Sequence, residues 1–143
     1  MTEYDLQNPF LENIGTRLLT WREGYAEMSV PLSPILQNRV GVVQGGVICT
    51  LLDAAAGYAG LFMPPGTPCV HSLTLSLTTN FLENGKGERL TAKGYVERRG
   101  GAIYFARAEA WLDDAMLVAT AIGTYRYVRS DARWGQGAGP HQA

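Results

Sequence analysis

The chain of 143 residues has the size of one domain, and at that length about two thirds of the unfolded surface can be buried around one core. Its 46% apolar content excludes disorder for most of the chain, and its net charge of −1, without any basic stripe, excludes a nucleic-acid partner. No charged-then-apolar leader opens it, and the two cysteines, Cys49 and Cys69, make no metal-ligand spacing with the two histidines. The expectation is a cytoplasmic protein with reduced thiols, no metal and no membrane span.

Asn8-Pro9 predicts a short first helix, because Asn caps helix starts and Pro suits the first helical position. Phe10, Leu11 and Ile14 are expected to face inward, with Gly15 ending the helix. Thr16 to Trp21 and Tyr25 to Leu32 read as a hairpin turned at Arg22-Glu23-Gly24, and Pro31 and Pro34 stop the pairing. Ser33 to Val43 reads as loop.

Then comes the stretch that organises the chain. After Gly45-Gly46, the seventeen residues from Val47 to Met63 carry no polar side chain except Thr50, Asp53 and Tyr58. This predicts a helix of about five turns, apolar on every face, ending before Pro64-Pro65-Gly66. A carboxylate in its middle costs several kcal/mol unless it is paired or chemically useful.

Four strand-like runs follow. In Val70 to Leu82, strict alternation places Leu73, Leu75, Leu77, Thr79 and Phe81 on one face and Thr74, Ser76, Thr78 and Asn80 on the other. Glu88 to Arg98, Ala102 to Leu112 and Met116 to Arg129 complete the set, turned at Asn84–Gly87, at Arg99-Gly100-Gly101 and at Asp113-Asp114. Residues 130–143 are polar and Gly-rich and are expected to be a flexible tail, leaving residues 1–129 as one domain. A hairpin, a long apolar helix and four consecutive antiparallel strands make an α+β protein. One sheet covers part of such a helix, and a second copy of the domain most simply covers the rest. A sheet wrapped around a central helix is the hotdog fold.

At the helix entrance the pattern becomes specific. Asn38-x-x-Gly41-x-x-Gln44-Gly45-Gly46, followed by Asp53, Ala55 and Gly57, resembles the signature of the PaaI-like (phenylacetate-degradation-type) hotdog acyl-CoA thioesterases of the 4HBT superfamily. Thr74 through Asn80-Phe81-Leu82 is similar to that family's third-strand motif. The resemblance implies a hydrolase acting on an acyl-CoA, with no cofactor beyond the coenzyme A of the substrate and assembly as a homodimer or homotetramer; the apolar Tyr58, Phe62 and Met63 end of the helix suggests an aryl or medium-chain acyl group. It departs at two positions. Gln44 stands where the family usually has His and cannot take up a proton near neutral pH. Gly101 stands where many relatives carry Lys or Arg.

Thioester hydrolysis needs a polarised carbonyl and an activated water or a nucleophile. The first N–H groups of a helix lack internal partners and sit at the positive end of its dipole. Gly45, with no Cβ, lets a thioester oxygen approach them, with Gly46 beside it on the substrate. The resemblance makes Asp53 the base or nucleophile and implies supporting roles for Asn38, Gln44 and Thr74. Arg98 and Arg99 suit coenzyme A phosphates. Tyr58, with Phe62 and Met63, suggests an apolar acyl pocket. Gly45 and Asp53 are about 12 Å apart along one helix, too far to share one carbonyl. The site is therefore expected to join Gly45 of one subunit to Asp53 of another. A non-catalytic hotdog that binds acyl-CoA or another apolar ligand is the alternative, and a hotdog dehydratase ranks last because no His lies near the helix.

Overall fold

The computed structural model describes residue 4 and residues 6–64 and 70–129. Pro65 and Gly66 of the helix stop, Cys69, the tail 130–143 and His141 lie outside the described residues.

Helix α1 (Pro9–Asn13) starts as expected, with the Asn8 side chain accepting the Leu11 N–H at 3.1 Å. Leu11 is buried, but Phe10 is 60% exposed, because a helix this short turns only one side inward. Strands β1 (Arg17–Arg22) and β2 (Tyr25–Pro31) form the hairpin, with Gly24 at φ +71, where a side chain would be strained. A 3₁₀ turn (Pro34–Leu36) precedes helix α2 (Gly45–Ala59). Strands β3 (Val70–Phe81), β4 (Arg89–Arg99), β5 (Ile103–Leu112) and β6 (Met116–Arg129) complete one antiparallel sheet in the order β1-β2-β4-β5-β6-β3. This is the hotdog architecture.

Helix α2 lies on a floor of small side chains. Ala92 of β4, Ala106, Ala108 and Ala110 of β5 and Ala119 and Ala121 of β6 are buried with Ile48, Leu51, Leu52, Ala55 and Ala56 of the helix. At Gly94 the approach is so close that a Cβ would stand 2.1 Å from the Ala55 carbonyl oxygen. The expectation of an all-round buried helix is met on this side only. Cys49, Thr50, Asp53 and Ala54 remain half-buried, and Gly46 is exposed.

The helix has 15 residues, about four turns rather than five. Its end tightens to i→i−3 bonds, from Gly60 N–H to Gly57 O and from Leu61 N–H to Tyr58 O, and sheet and hairpin side chains also reach its last carbonyls. Tyr104 donates to Gly57 O at 2.7 Å, Trp21 Nε1 to Tyr58 O at 2.8 Å and Tyr127 to Gly60 O at 2.9 Å. The Gly57 and Tyr58 carbonyls also accept the Gly60 and Leu61 N–H groups at 3.1 and 3.0 Å, so the side-chain donors add a second bond at each.

Strand β3 breaks strict alternation. Thr74 pairs with Tyr125, and Leu77 pairs with Gly123, with a bulge between Thr74 and Ser76. Tyr125 and Gly123 share a face of β6, so Thr74 shares the helix side with Leu77, Thr79 and Phe81. The expected opposite placement of Thr74 is wrong because the bulge adds a residue and re-aims the strand.

Candidate active site

Asp53 projects from the half-buried flank of α2 toward β3. Its Oδ1 accepts the Thr74 hydroxyl at 2.8 Å and the Tyr125 hydroxyl at 3.2 Å. No cation pairs with it among the described residues, and Oδ2 has no partner among them. Two hydroxyl dipoles therefore meet at one carboxylate oxygen, and the other is left open among the described residues.

The helix start is open. Gln44 occupies the N-cap position in extended conformation, but its exposed side chain makes no cap hydrogen bond. The first bonds of the helix are those of Val47 N–H and Ile48 N–H to Gln44 O. The N–H groups of Gly45 and Gly46 meet no acceptor among the described residues. A Cβ at Gly46 would have nothing within 4 Å, while one at Gly45 would stand 3.6 Å from the Phe81 ring. An anion or a carbonyl oxygen can reach this end directly.

Helix α2 therefore runs opposite to β3: Gly45 lies beside Phe81, and Asp53 lies beside Thr74. The eight-residue separation puts the two groups about 12 Å apart, and within one chain they do not converge.

The remaining expected residues are placed apart from Asp53. Asn38 Oδ1 accepts the Val40 and Val42 N–H groups at 3.0 and 3.3 Å, organising the loop that leads to Gln44. This is a turn-forming role, and it leaves the amide N–H groups of Asn38 for any substrate. Tyr58 lies about 140° around the helix from Asp53. Its hydroxyl donates to Leu6 O at 2.7 Å, and its ring packs against Trp21. Phe62 also meets Trp21, so the N-terminal segment fills the end where an acyl pocket was expected. Arg98 is exposed, and Arg99 lies 3.6 Å from Glu23 at the end of the sheet under the last turn of α2. Cys49 Sγ is 3.8 Å from the Thr79 hydroxyl, and no hydrogen bond to a histidine is made by it among the described residues. A cavity of about 220 Å³ lined by Thr78, Asn80, Arg107 and Ile122 opens on the other face of the sheet, away from Asp53.

Tyr125 and Phe81 were missed as site residues. Both could have been found by reading the third- and sixth-strand side chains against the helix. Tyr125 follows Gly123 at the inward spacing of β6, and Phe81 closes the third-strand motif.

Three comparisons bear on this geometry. The profile of the thioesterase superfamily (4HBT) matches residues 40–119, which include the helix start, Asp53 and Thr74. The medium/long-chain acyl-CoA thioesterase YigI of Escherichia coli is 27% identical over 133 residues, covering 82% of this chain and 84% of the relative. A thioesterase family protein from Silicibacter pomeroyi superposes with a TM-score of 0.76 at 27% identity, covering 86% of this chain and 91% of that one. The Escherichia coli PaaI protein from the phenylacetic acid degradation operon shares the fold, with a TM-score of 0.74 at 21% identity, over 85% of this chain and 86% of that one.

Proposed function

The chain belongs to the thioesterase superfamily and is a thioester hydrolase; from that premise we propose that it cleaves an acyl-CoA of medium to long chain to the free acid and coenzyme A. The observation that carries this reading is the Asp53 carboxylate, held through Oδ1 by two hydroxyls, unpaired with any described cation and open at Oδ2. The chain length follows YigI, whose name specifies medium and long acyl groups. An aryl acyl group remains the competing outcome.

The reaction runs across two subunits. The thioester oxygen accepts N–H bonds from Gly45 and Gly46 of one protomer, where the helix dipole favours developing negative charge. Asp53 of the partner subunit takes a proton from water as the new C–O bond forms. The C–S bond then breaks, and the proton passes to the thiolate sulfur of coenzyme A. In the nucleophilic variant, Asp53 of the partner subunit attacks first, expels the thiolate, and water cleaves the resulting anhydride.

The dimer is supported by β3. It is a 12-residue edge strand exposing Leu73, Leu75 and Phe81, and a long apolar edge is a template for pairing. Antiparallel pairing about a two-fold axis near Leu77 and Thr78 would bring the Gly45–Phe81 end of one copy beside the Asp53–Thr74 end of the other. Asn38 and Gln44 then border the helix start, and Arg98 meets coenzyme A phosphates, with Arg99 available once it releases Glu23. Further pairing to a tetramer belongs to the same reading.

A panel of esters from acetyl-CoA to palmitoyl-CoA, with phenylacetyl-CoA, tests it when free coenzyme A is followed with a thiol reagent. Turnover is expected to peak at medium to long chains and to fall about a thousandfold in Asp53→Asn with the fold retained. Absence of thiol release across the panel would leave a non-catalytic ligand-binding hotdog. Activity per chain that is unchanged on dilution to sedimenting monomers would reject the shared site.

A further inference from the structure

We propose that Tyr125 is a positioning residue for Asp53, holding Oδ1 together with Thr74 so that Oδ2 alone is presented to the substrate. The inference rests on the reading of Asp53 as base or nucleophile.

The Tyr125 hydroxyl has one proton and two acceptors in reach, Asp53 Oδ1 at 3.2 Å and the Asp53 main-chain oxygen at 3.3 Å. The carboxylate is charged and is the stronger acceptor. Tyr125 is 1% exposed, so it cannot meet substrate and can act only through Asp53. Burial first, and then the neighbouring Asp53 charge, push its pKa up, so the phenol stays a donor through the neutral range.

The surroundings are arranged for this ring. Tyr125 stacks on Tyr104 with centroids 5.1 Å apart and planes at 15°, and Tyr104 is itself tied to Gly57 O. A Cβ at Gly123 would lie 2.6 Å from the Tyr125 ring, and one at Gly57 would lie 3.5 Å from it. Glycine inside a strand weakens it and marks a close approach; here the approach is that of the Tyr125 ring. Thr74 and Tyr125 are cross-strand partners, and the bulge after Thr74 turns both hydroxyls to the same oxygen. One hydroxyl leaves a carboxylate free to swing. Two hydroxyls from adjacent strands hold it in one orientation.

The test is Tyr125→Phe, which keeps the ring and removes the hydroxyl, measured with octanoyl-CoA and palmitoyl-CoA beside Asp53→Asn. The expected result is a fall in kcat of about tenfold with KM unchanged within about twofold. Adding Tyr125→Phe to Asp53→Asn is expected to reduce the residual rate no further, since both changes remove the same function. A Tyr125→Phe enzyme with wild-type kcat, beside an inactive Asp53→Asn, overturns the positioning role and leaves the catalytic reading standing. An active Asp53→Asn overturns both. If Tyr125→Phe does not fold, the hydroxyl proton of Tyr125 is followed by NMR in the wild-type protein and in Asp53→Asn. An upfield shift on neutralising Asp53 supports the bond to Oδ1. An unmoved resonance overturns the proposal by assigning the proton to the main-chain oxygen.

Discussion

The two ends of α2 are built to opposite purposes. At the C-terminal end the carbonyls of Gly57, Tyr58 and Gly60 each receive a proton from a side chain of the sheet or hairpin. At the N-terminal end the N–H groups of Gly45 and Gly46 meet nothing among the described residues, and the N-cap side chain of Gln44 stands aside. A helix whose polar ends were both satisfied would be a strut. A helix closed at one end and open at the other is a strut with an exposed dipole, and the proposed reaction uses that open end in one site and Asp53 in another.

The contrast can be broken hardest at the closed end. Gly60→Ala would place a Cβ 2.2 Å from the Tyr104 ring, and denaturant unfolding is expected to show a loss of about 3 kcal/mol, in the range of overpacked cores. Tyr104→Phe keeps the ring but leaves the buried Gly57 carbonyl with the Gly60 N–H alone, and the same measurement is expected to show a loss of about 1 kcal/mol. The buried tyrosines, Tyr104 at the closed end and Tyr125 beside Asp53, also make the fold sensitive to alkali. Burial is the largest cause raising the pKa of both Tyr104 and Tyr125 above the ordinary value of 10.0. The unfolded chain therefore loses phenol protons before the folded one does. Their contribution is fully present below about pH 10 and is lost as pH rises toward the folded values, so urea midpoints should fall above about pH 10, less steeply in Tyr104→Phe. The open end should tolerate what the closed end does not. Gly46→Ala meets no atom within 4 Å and is expected to raise stability by about 0.5 kcal/mol through helix propensity. The smallest effect is expected for Gln44→Ala, since the side chain makes no cap bond, with stability unchanged within about 0.5 kcal/mol by thermal unfolding.

The elements were legible where a local rule governed them. Asn8-Pro9 capped its helix, Glu23-Gly24 turned its hairpin, and the polar-poor stretch after Gly45 formed α2. What failed was set by contacts distant in sequence. The stretch stays apolar to Met63, yet the helix stops at Ala59, where Tyr104, Trp21 and Tyr127 from distant strands reach the carbonyls of its end. Thr74 follows a clean alternation in the sequence, but the bulge at Leu75 turns it to Asp53. Tyr58 sits on an apolar helix and reads as pocket lining until Leu6 and Trp21 are seen against it. Gly45 and Asp53 stood out in the sequence because a glycine at a helix start and a carboxylate in an apolar stretch announce themselves without knowledge of neighbours. Tyr125 did not, because a tyrosine in a strand looks like any other until its partner is known.

The closed end of α2 also orders events in time. Its three donors lie 37, 47 and 67 residues from the carbonyls they reach. During synthesis the helix is complete once Ala59 has emerged, but the last of those donors, Tyr127, arrives only with the final strand. Contacts so distant in sequence form late. The final turn of α2 is therefore expected to fray in nascent chains ending before Tyr127 and to gain amide protection last in pulse-labelled refolding. Early protection at Tyr58 and Ala59 would contradict that order.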